Sequence, residues 1–176
     1  QPRSRGLGDV YKRQVGISGM QSHYFEHFME GLCDAQGVKL SDCFANSFCL
    51  SADVSNAFDP NWPETCDKRN NSQLNYGVAI CKYTGSRGKG GASDASAEAM
   101  GHVRSTLDKA GVIWQIATLG KVDQGGGGTV AAYMANRNIV TVDAGVPVLS
   151  MHAPLELVSK LDCYETMLAC KAIYLA

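Results

Sequence analysis

The stretch "IVTVDAGVPVLSMH", residues 139–152, contains a predicted strand. Its β-branched and apolar residues are typical of a buried strand. A short helix is predicted directly before it, in residues 129–138. A long helix is predicted after it, in residues 154–176, with Pro154 at or near the first turn, where proline is tolerated. A strand between two helices is the repeating unit of an α/β sheet.

The rest of the chain shows the same alternation. Apolar residues at three- and four-residue spacing predict a helix in residues 19–37 that stops at Gly37. Another helix is predicted in residues 93–111, capped by Ser93 or Asp94 and ended by Gly111. Apolar runs predict further strands in residues 44–54, 76–84 and 112–118. Strands separated by helices indicate an α/β sheet with crossover connections.

Composition narrows the classes of function. The chain has 176 residues, 45% hydrophobic and 19% charged, which suits one domain with a core. A net charge of −1 and the lack of a long apolar run give no support for a nucleic-acid or membrane partner. The cysteine count of 7 is odd and no C-x-x-C spacing occurs, so we expect reduced thiols in a cytoplasmic protein.

The first 14 residues, "QPRSRGLGDVYKRQ", differ from the rest. They contain four basic residues and show neither periodicity nor a capping signal. We interpret residues 1–14 as a non-native segment or a disordered basic arm and exclude them from the fold prediction. The domain is expected to begin at Val15.

Three features are predicted to lie where strands end. Asp53 follows one strand, the run Gly125–Gly128 comes after another, and His152 follows the stretch quoted first. Functional groups in open α/β sheets collect at the carboxyl ends of strands. Asp53 and His152 offer the oxygen and nitrogen donors that zinc accepts. A turn or cap role for the aspartate and a structural role for the histidine are the alternatives.

The four glycines have two interpretations. Each costs about 0.5–1 kcal/mol relative to alanine in regular structure, so the run needs a reason. Backbone without Cβ atoms can approach a ligand closely, whereas a glycine tract is also a common flexible connector. The run is not a phosphate-binding P-loop, because no Gly-Lys-Ser/Thr follows it.

One short motif suggests a different metal site. The residues "HYFEH", His23 to His27, fit the H-x-x-E-H pattern of inverted zincins. Both histidines would share a helix face, but a zinc site would need a third ligand downstream. We therefore expect a surface histidine pair.

Longer motifs resemble a known family. The segment "LSADVSNAFDPNW" and the downstream "GVPVLSMHAP" resemble the M18 aminopeptidases, the aspartyl aminopeptidase and aminopeptidase I group. Ser51-Ala52-Asp53 is similar to the family's Ser-Ala-Asp element, and Met151-His152 to its Met-His-Ser element, with Ala153 in place of serine. The tracts "KYTGSRGKGGASDASAEAM" and "LGKVDQGGGGTVA" are similar to the bacterial branch.

The resemblance implies a fold, a chemistry and a site. The fold would be a three-layer α/β sandwich with a mixed, mostly parallel sheet, as in zinc exopeptidases. The activity would be zinc-dependent removal of N-terminal residues from peptides, with two zinc ions and a homo-oligomeric enzyme. Asp53 would bind one ion and His152 the other. Gly125, Gly126, Gly127, Gly128, Thr129 and Met151 would line the substrate cleft.

The resemblance also implies residues that this chain does not contain. The family's general-base glutamate and its other metal ligands belong upstream of the segment "VGISGMQS", where this chain carries "YKRQ". Residues 15–176 would then be the C-terminal part of a catalytic domain, inactive alone and with no catalytic residue of its own. The alternative is a non-catalytic α/β binding or assembly domain.

Overall fold

Helices and strands are interspersed along the chain, as the α/β prediction requires, although helices and strands do not alternate one by one. The computed structural model describes residues 16–17, 19–82, 84–85, 93–121 and 123–176; the arm predicted at residues 1–14 lies outside them. The helices are α1 (Tyr24–Gln36), α2 (Leu40–Ala45), α3 (Ala97–Ala110), α4 (Ala131–Ala135) and α5 (Lys160–Tyr174). The strands are β1 (Phe48–Ser51), β2 (Ser55–Asn56), β3 (Val78–Cys81), β4 (Trp114–Ala117), β5 (Val140–Gly145), β6 (Pro147–Leu149) and β7 (Leu157–Val158).

The strands form two mixed sheets. The first has the order β1-β5-β3-β4, in which β1 is parallel to β5, β3 is parallel to β4, and β3 is antiparallel to β5. The second has the order β2-β6-β7, with one parallel and one antiparallel pairing. The strands are therefore mostly parallel, which the crossovers through helices allow.

Helices cover both faces of the first sheet, which makes three layers. On one face, α3 and α5 pack on β3 and β5 through apolar side chains that include Val78, Ile80, Val103, Leu107, Val142 and Ala169. On the other face, α1, α2 and α4 meet around a smaller cluster that includes Phe25, Phe44, Met134 and Ile139. Successive residues of β1 alternate between these clusters, as pleated strands require.

Glycines end two helices at the predicted positions. Gly37 and Gly111 follow α1 and α3 with φ of 68° and 67°, a left-handed conformation that glycine adopts at little cost. The cap predicted for α3 is wrong, because Ser96 and not Ser93 or Asp94 caps this helix. The Ser96 side chain accepts the N–H of Ala99. Ser93 instead contacts Asp143, and Asp94 pairs with Lys82.

The C-terminal region differs from the prediction in two ways. Residues 139–152 contain two strands in different sheets, β5 and β6. The final helix begins at Lys160 rather than near Pro154, because residues 157–158 pair with β6 as β7. The hydroxyl of Ser159 caps the helix by accepting the N–H of Leu161 at 3.1 Å. Asp162, fully buried, accepts the N–H of Gly77 at 2.8 Å and fastens the helix start to the sheet.

Two chain segments leave the first sheet together and enter the second. Residues 48–51 pair with β5, and residues 55–56 then pair with β6, both in parallel. Asp53 lies at the crossing, opposite Gly145. A Cβ atom on Gly145 would overlap the carbonyl oxygen of Asp53. Glycine is therefore required at 145 for the two segments to approach at this point.

We predict that Gly145→Ala destabilises the protein strongly, whereas Gly101→Ala does not. The new methyl at 145 meets backbone that belongs to two sheets, so we expect a loss of about 3 kcal/mol or more. A Cβ on Gly101, in α3, meets nothing within 4 Å, and alanine there should stabilise the helix by about 0.5–1 kcal/mol. Thermal unfolding of both variants in the full-length protein measures this difference. Equal midpoints would contradict the role of Gly145.

Candidate functional site

A cavity of about 370 Å³ lies at the carboxyl ends of the strands. Its wall is built from the β1–β2 crossing, the loop after β4, the glycine run and the turn after β6. The structure brings every residue predicted for the site to this one cavity: Asp53, Gly125, Gly126, Gly127, Gly128, Thr129, Met151 and His152. The wall also contains residues that no sequence pattern predicted: Val54, Asn56, Thr65, Leu119 and Gly120. The roles of the predicted residues stay predictions.

Asp53 reaches the cavity because the chain changes sheets there. The side chain is half-buried, and its Oδ1 accepts the N–H of the next residue, Val54, at 2.9 Å. The following N–H, of Ser55, bonds to the carbonyl of Val146 at 2.9 Å and begins the second sheet. The Asp53 carboxylate is thus fixed between two hydrogen-bonded strand pairs.

His152 lies in a strained turn between β6 and β7. Ser150 and His152 have φ of 57° and 68°, a region that residues with a Cβ rarely adopt. The turn is closed by the N–H of Ala153, which bonds to the carbonyl of Ser150 at 2.9 Å. Glu156 accepts the backbone N–H of His152 at 2.5 Å. Strain of this kind clusters at ligand sites, where the surrounding structure holds it in place.

The glycine run packs against neighbouring backbone. Gly126 has φ of 93°, and a Cβ there would overlap the carbonyl oxygens of Gly85 and Leu119. The N–H of Gly85 donates to the carbonyl of Gly127 at 2.9 Å. Gly120 has φ of 80°, and a Cβ there would lie 2.5 Å from the nitrogen of Gly126. The run is therefore a hydrogen-bonded loop rather than a free connector, and close backbone packing requires glycine at 126.

A buried carboxylate beside the cavity was not predicted. Asp143, in β5, is only 5% exposed, and its Oδ2 accepts from the hydroxyls of Thr129 at 2.9 Å and Ser93 at 3.1 Å. Burial raises the pKa of the Asp143 carboxyl. The charge of Asp53 raises that pKa further, while the neighbouring hydroxyls lower it. An aspartate within the apolar run "IVTVDAGV" is the signal that could have identified it.

Among the described residues, the pair His23 and His27 is not part of a group of side chains that could hold a metal ion. His23 is at the N-cap of α1 and bonds to Glu26, one turn along the helix. Nowhere in the described residues do three or more His, Cys, Asp or Glu side chains lie close enough together to hold a metal ion by themselves. The described part of the chain also has no helix with the length and apolar character needed to cross a membrane.

Comparison with known proteins agrees with this architecture. The sequence model of the aminopeptidase I zinc metalloproteases (M18) matches residues 14–174. A probable M18 family aminopeptidase 1 of Clostridium acetobutylicum is 49% identical over 156 residues, which are 86% of this chain and 34% of that protein. A Thermotoga maritima protein of the same description is 41% identical over 179 residues, 96% of this chain and 40% of that protein.

Solved structures agree as well. The crystal structure of an M18 aminopeptidase from Thermotoga maritima superposes with a TM-score of 0.86, at 41% identity, over 90% of this chain and 36% of that one. Aminopeptidase I from Clostridium acetobutylicum gives a TM-score of 0.82 at 47% identity, over 90% of this chain and 34% of that one.

The fold and sheet arrangement are thus those of M18 aminopeptidase structures. The chain belongs to the M18 family of zinc metallopeptidases, and the resemblance found in the sequence is confirmed. It spans 34–40% of the length of these curated relatives.

We predict that Gly126→Ala in a full-length M18 enzyme carrying this segment lowers kcat/KM by about 100-fold. The methyl meets two backbone carbonyls, so the loop must move, and a shift of about 1 Å can cost this much. Stability should change by about 0.5–3 kcal/mol. Release of N-terminal amino acids from peptides and thermal unfolding test both. Gly31→Ala, where a Cβ has open space, is the control. Unchanged kinetics for Gly126→Ala would show that the loop is remote from the substrate.

Proposed function

We propose that this segment belongs to a zinc aminopeptidase that removes N-terminal residues from peptides, with Asp53 and His152 as metal ligands. The observation that carries the proposal is geometric. Residues 99 positions apart in the sequence, each from a motif that resembles the family's metal-binding elements, line the same cavity. Membership of the M18 family supplies the chemical class.

The donor set fits zinc. A carboxylate oxygen and an imidazole nitrogen are both common zinc ligands. The strand pairings of Ser51 and Ser55 hold the backbone on each side of Asp53, and the hydrogen-bonded turn holds His152. Bound zinc would polarise a carbonyl group and lower the pKa of a water molecule. We assign Asp53 to one ion and His152 to a second.

Two donors do not complete a zinc site, which in catalytic proteins has about three protein ligands per ion. We propose that the remaining ligands and the general-base glutamate come from the part of the parent enzyme that this chain does not match. That part is large, because the chain covers 34% of the Clostridium relative. The 176-residue chain alone should then be inactive.

The other wall of the cavity would hold the peptide. Gly125–Gly128 lines this wall with backbone that has no side chains, so the backbone of a substrate can approach it closely. Thr129 is buried at the end of the run, and Met151 places a flexible apolar side chain beside His152. Together these groups would orient the first peptide bond towards the Asp53 and His152 side. The homo-oligomer that the family resemblance implies stays a prediction.

We predict that Asp53→Ala and His152→Ala, in a full-length M18 enzyme carrying this segment, each remove bound zinc and reduce peptide hydrolysis by at least about 1,000-fold. Each substitution removes one of the few side chains that bind a zinc ion. Neither removes core packing, because Asp53 is only half-buried and His152 is exposed. Thermal unfolding of the zinc-free proteins should therefore stay close to that of the unsubstituted protein.

Elemental analysis and peptide hydrolysis should be measured on the same samples. His27→Ala and Asp34→Ala, at exposed positions of α1, are the matched controls and should keep both zinc and activity. Retention of zinc and turnover by either site variant would remove that residue from the ligand set. A fully zinc-loaded, unsubstituted enzyme without peptidase activity would instead favour the binding or assembly domain.

A further inference from the structure

Asp143 is the most unusual polar group outside the proposed ligand set. It lies in the middle layer of the fold, with Ser51 of β1 and Cys81 of β3 as its register partners. Its side chain is almost fully buried, and Oδ1 has no hydrogen-bond partner among the described residues. Burying a carboxylate costs several kcal/mol unless partners offset the loss of water, so a merely space-filling role would favour an apolar residue.

The other oxygen of Asp143 joins two separate connections of the chain, β3–α3 and β4–α4. Oδ2 accepts from Thr129 at 2.9 Å, from Ser93 at 3.1 Å and, more weakly, from Thr84 at 3.5 Å. Thr129 ends the glycine run, Thr84 follows β3, and Ser93 precedes α3. Hydrogen bonds to a carboxylate are about twice as strong as those between neutral groups. One buried oxygen therefore ties the two ends of the β3–α3 connection to the end of the glycine run.

The β3–α3 connection and the glycine run are also bonded to each other beside the cavity. The N–H of Thr84 donates to the carbonyl of Ser93 at 3.2 Å, and the next N–H, of Gly85, donates to Gly127 at 2.9 Å. The Thr129 hydroxyl also accepts the N–H of Ala131 at 3.3 Å, where α4 begins. Direct hydrogen bonds therefore connect Asp143 to Thr129 and the glycine run to Gly85.

Asp143 also lies close to Asp53, the proposed metal ligand. Asp53, Thr129 and Asp143 line a small void of about 10 Å³ that shares its Asp53 and Thr129 walls with the main cavity. The strand pairing of Ser51 with Asp143 sets the position of Asp53, two residues further along. The same β5 residue therefore lies between the Asp53 segment and the glycine loop.

From this geometry we infer that Asp143 is a positioning residue, which holds the loop Gly125–Thr129 at a fixed place relative to Asp53. It does so through the Thr129 hydroxyl, and the hydroxyls of Ser93 and Thr84 bond to the same carboxylate oxygen. The inference rests on the proposed function only where it concerns catalysis, since the loop must border the substrate. The structural part of the inference stands independently of any activity.

Hydrogen exchange measured by mass spectrometry on the full-length, zinc-loaded protein tests the structural part. Asp143→Asn should increase exchange of the amides in residues 125–131 by about tenfold, and leave α3 and α5 unchanged. Thr129→Val removes one hydroxyl and should have a similar effect, whereas Thr129→Ser keeps the hydroxyl and should restore protection. If Asp143→Asn does not fold, the Thr129 pair still decides the question.

A double variant separates the shared contact from general loosening. If Asp143 and Thr129 act through one interaction, Asp143→Asn combined with Thr129→Val should exchange no faster than Asp143→Asn alone. Additive effects would contradict the inference, and so would unchanged exchange of residues 125–131 in Asp143→Asn.

Kinetics and zinc content test the catalytic part. We expect Asp143→Asn to keep its zinc and to lose about tenfold in kcat/KM, mainly through KM, because the loop is displaced and the ligands are not. Loss of zinc would make Asp143 part of the metal site and overturn the positioning role. If the unsubstituted zinc-loaded protein hydrolyses no peptide, the proposed function fails, and the exchange results still decide the role of Asp143.

Discussion

The site depends on a parallel pairing that continues through two sheets. The segment that contains β1 and β2 runs beside the segment that contains β5 and β6, and both change sheets at the same level. At the crossing the Asp53 carbonyl lies against Gly145, with no space for a Cβ. The contact fixes where the Asp53 side chain leaves the sheet. It also fixes where β6 begins, and therefore the position of the turn that carries His152.

The cavity is completed by backbone rather than by bulky side chains. Gly126 and Gly120 both have positive φ and pack against each other and against Gly85. Such a loop buries little apolar surface, so it needs specific hydrogen bonds to keep one conformation. The buried carboxylate of Asp143 supplies them through the hydroxyls of Thr129, Ser93 and Thr84. The buried hydrogen bonds of Asp143 thus compensate for the lack of apolar contacts in the glycine-rich wall.

Patterns along the chain predict the elements that are set by local chemistry. Apolar spacing identifies the main helices. Gly37 and Gly111 mark two helix ends, because a left-handed C-cap depends on the conformation of one residue and not on a distant partner. The ends of the strands predict that Asp53, the glycine run and His152 lie near one another, and the structure places them around one cavity.

Features set by distant partners could not be predicted in this way. The pairing of β7 with β6 shortens the final helix, and the sequence prediction places the start near Pro154 instead of at the capping residue Ser159. Asp143 is conspicuous as an aspartate within an apolar strand, but its partners are hydroxyls 14 to 59 residues away, which only the fold brings to it. The need for glycine at 126 comes from the carbonyls of Gly85 and Leu119, which only the fold brings there.

Metal binding by Asp53 and His152 at this cavity can be observed by anomalous diffraction at the zinc absorption edge, from crystals of the full-length protein. We expect zinc peaks about 2.0–2.2 Å from a carboxylate oxygen of Asp53 and from a ring nitrogen of His152. Zinc bound at His23 and His27, with no peak beside Asp53 or His152, would contradict it.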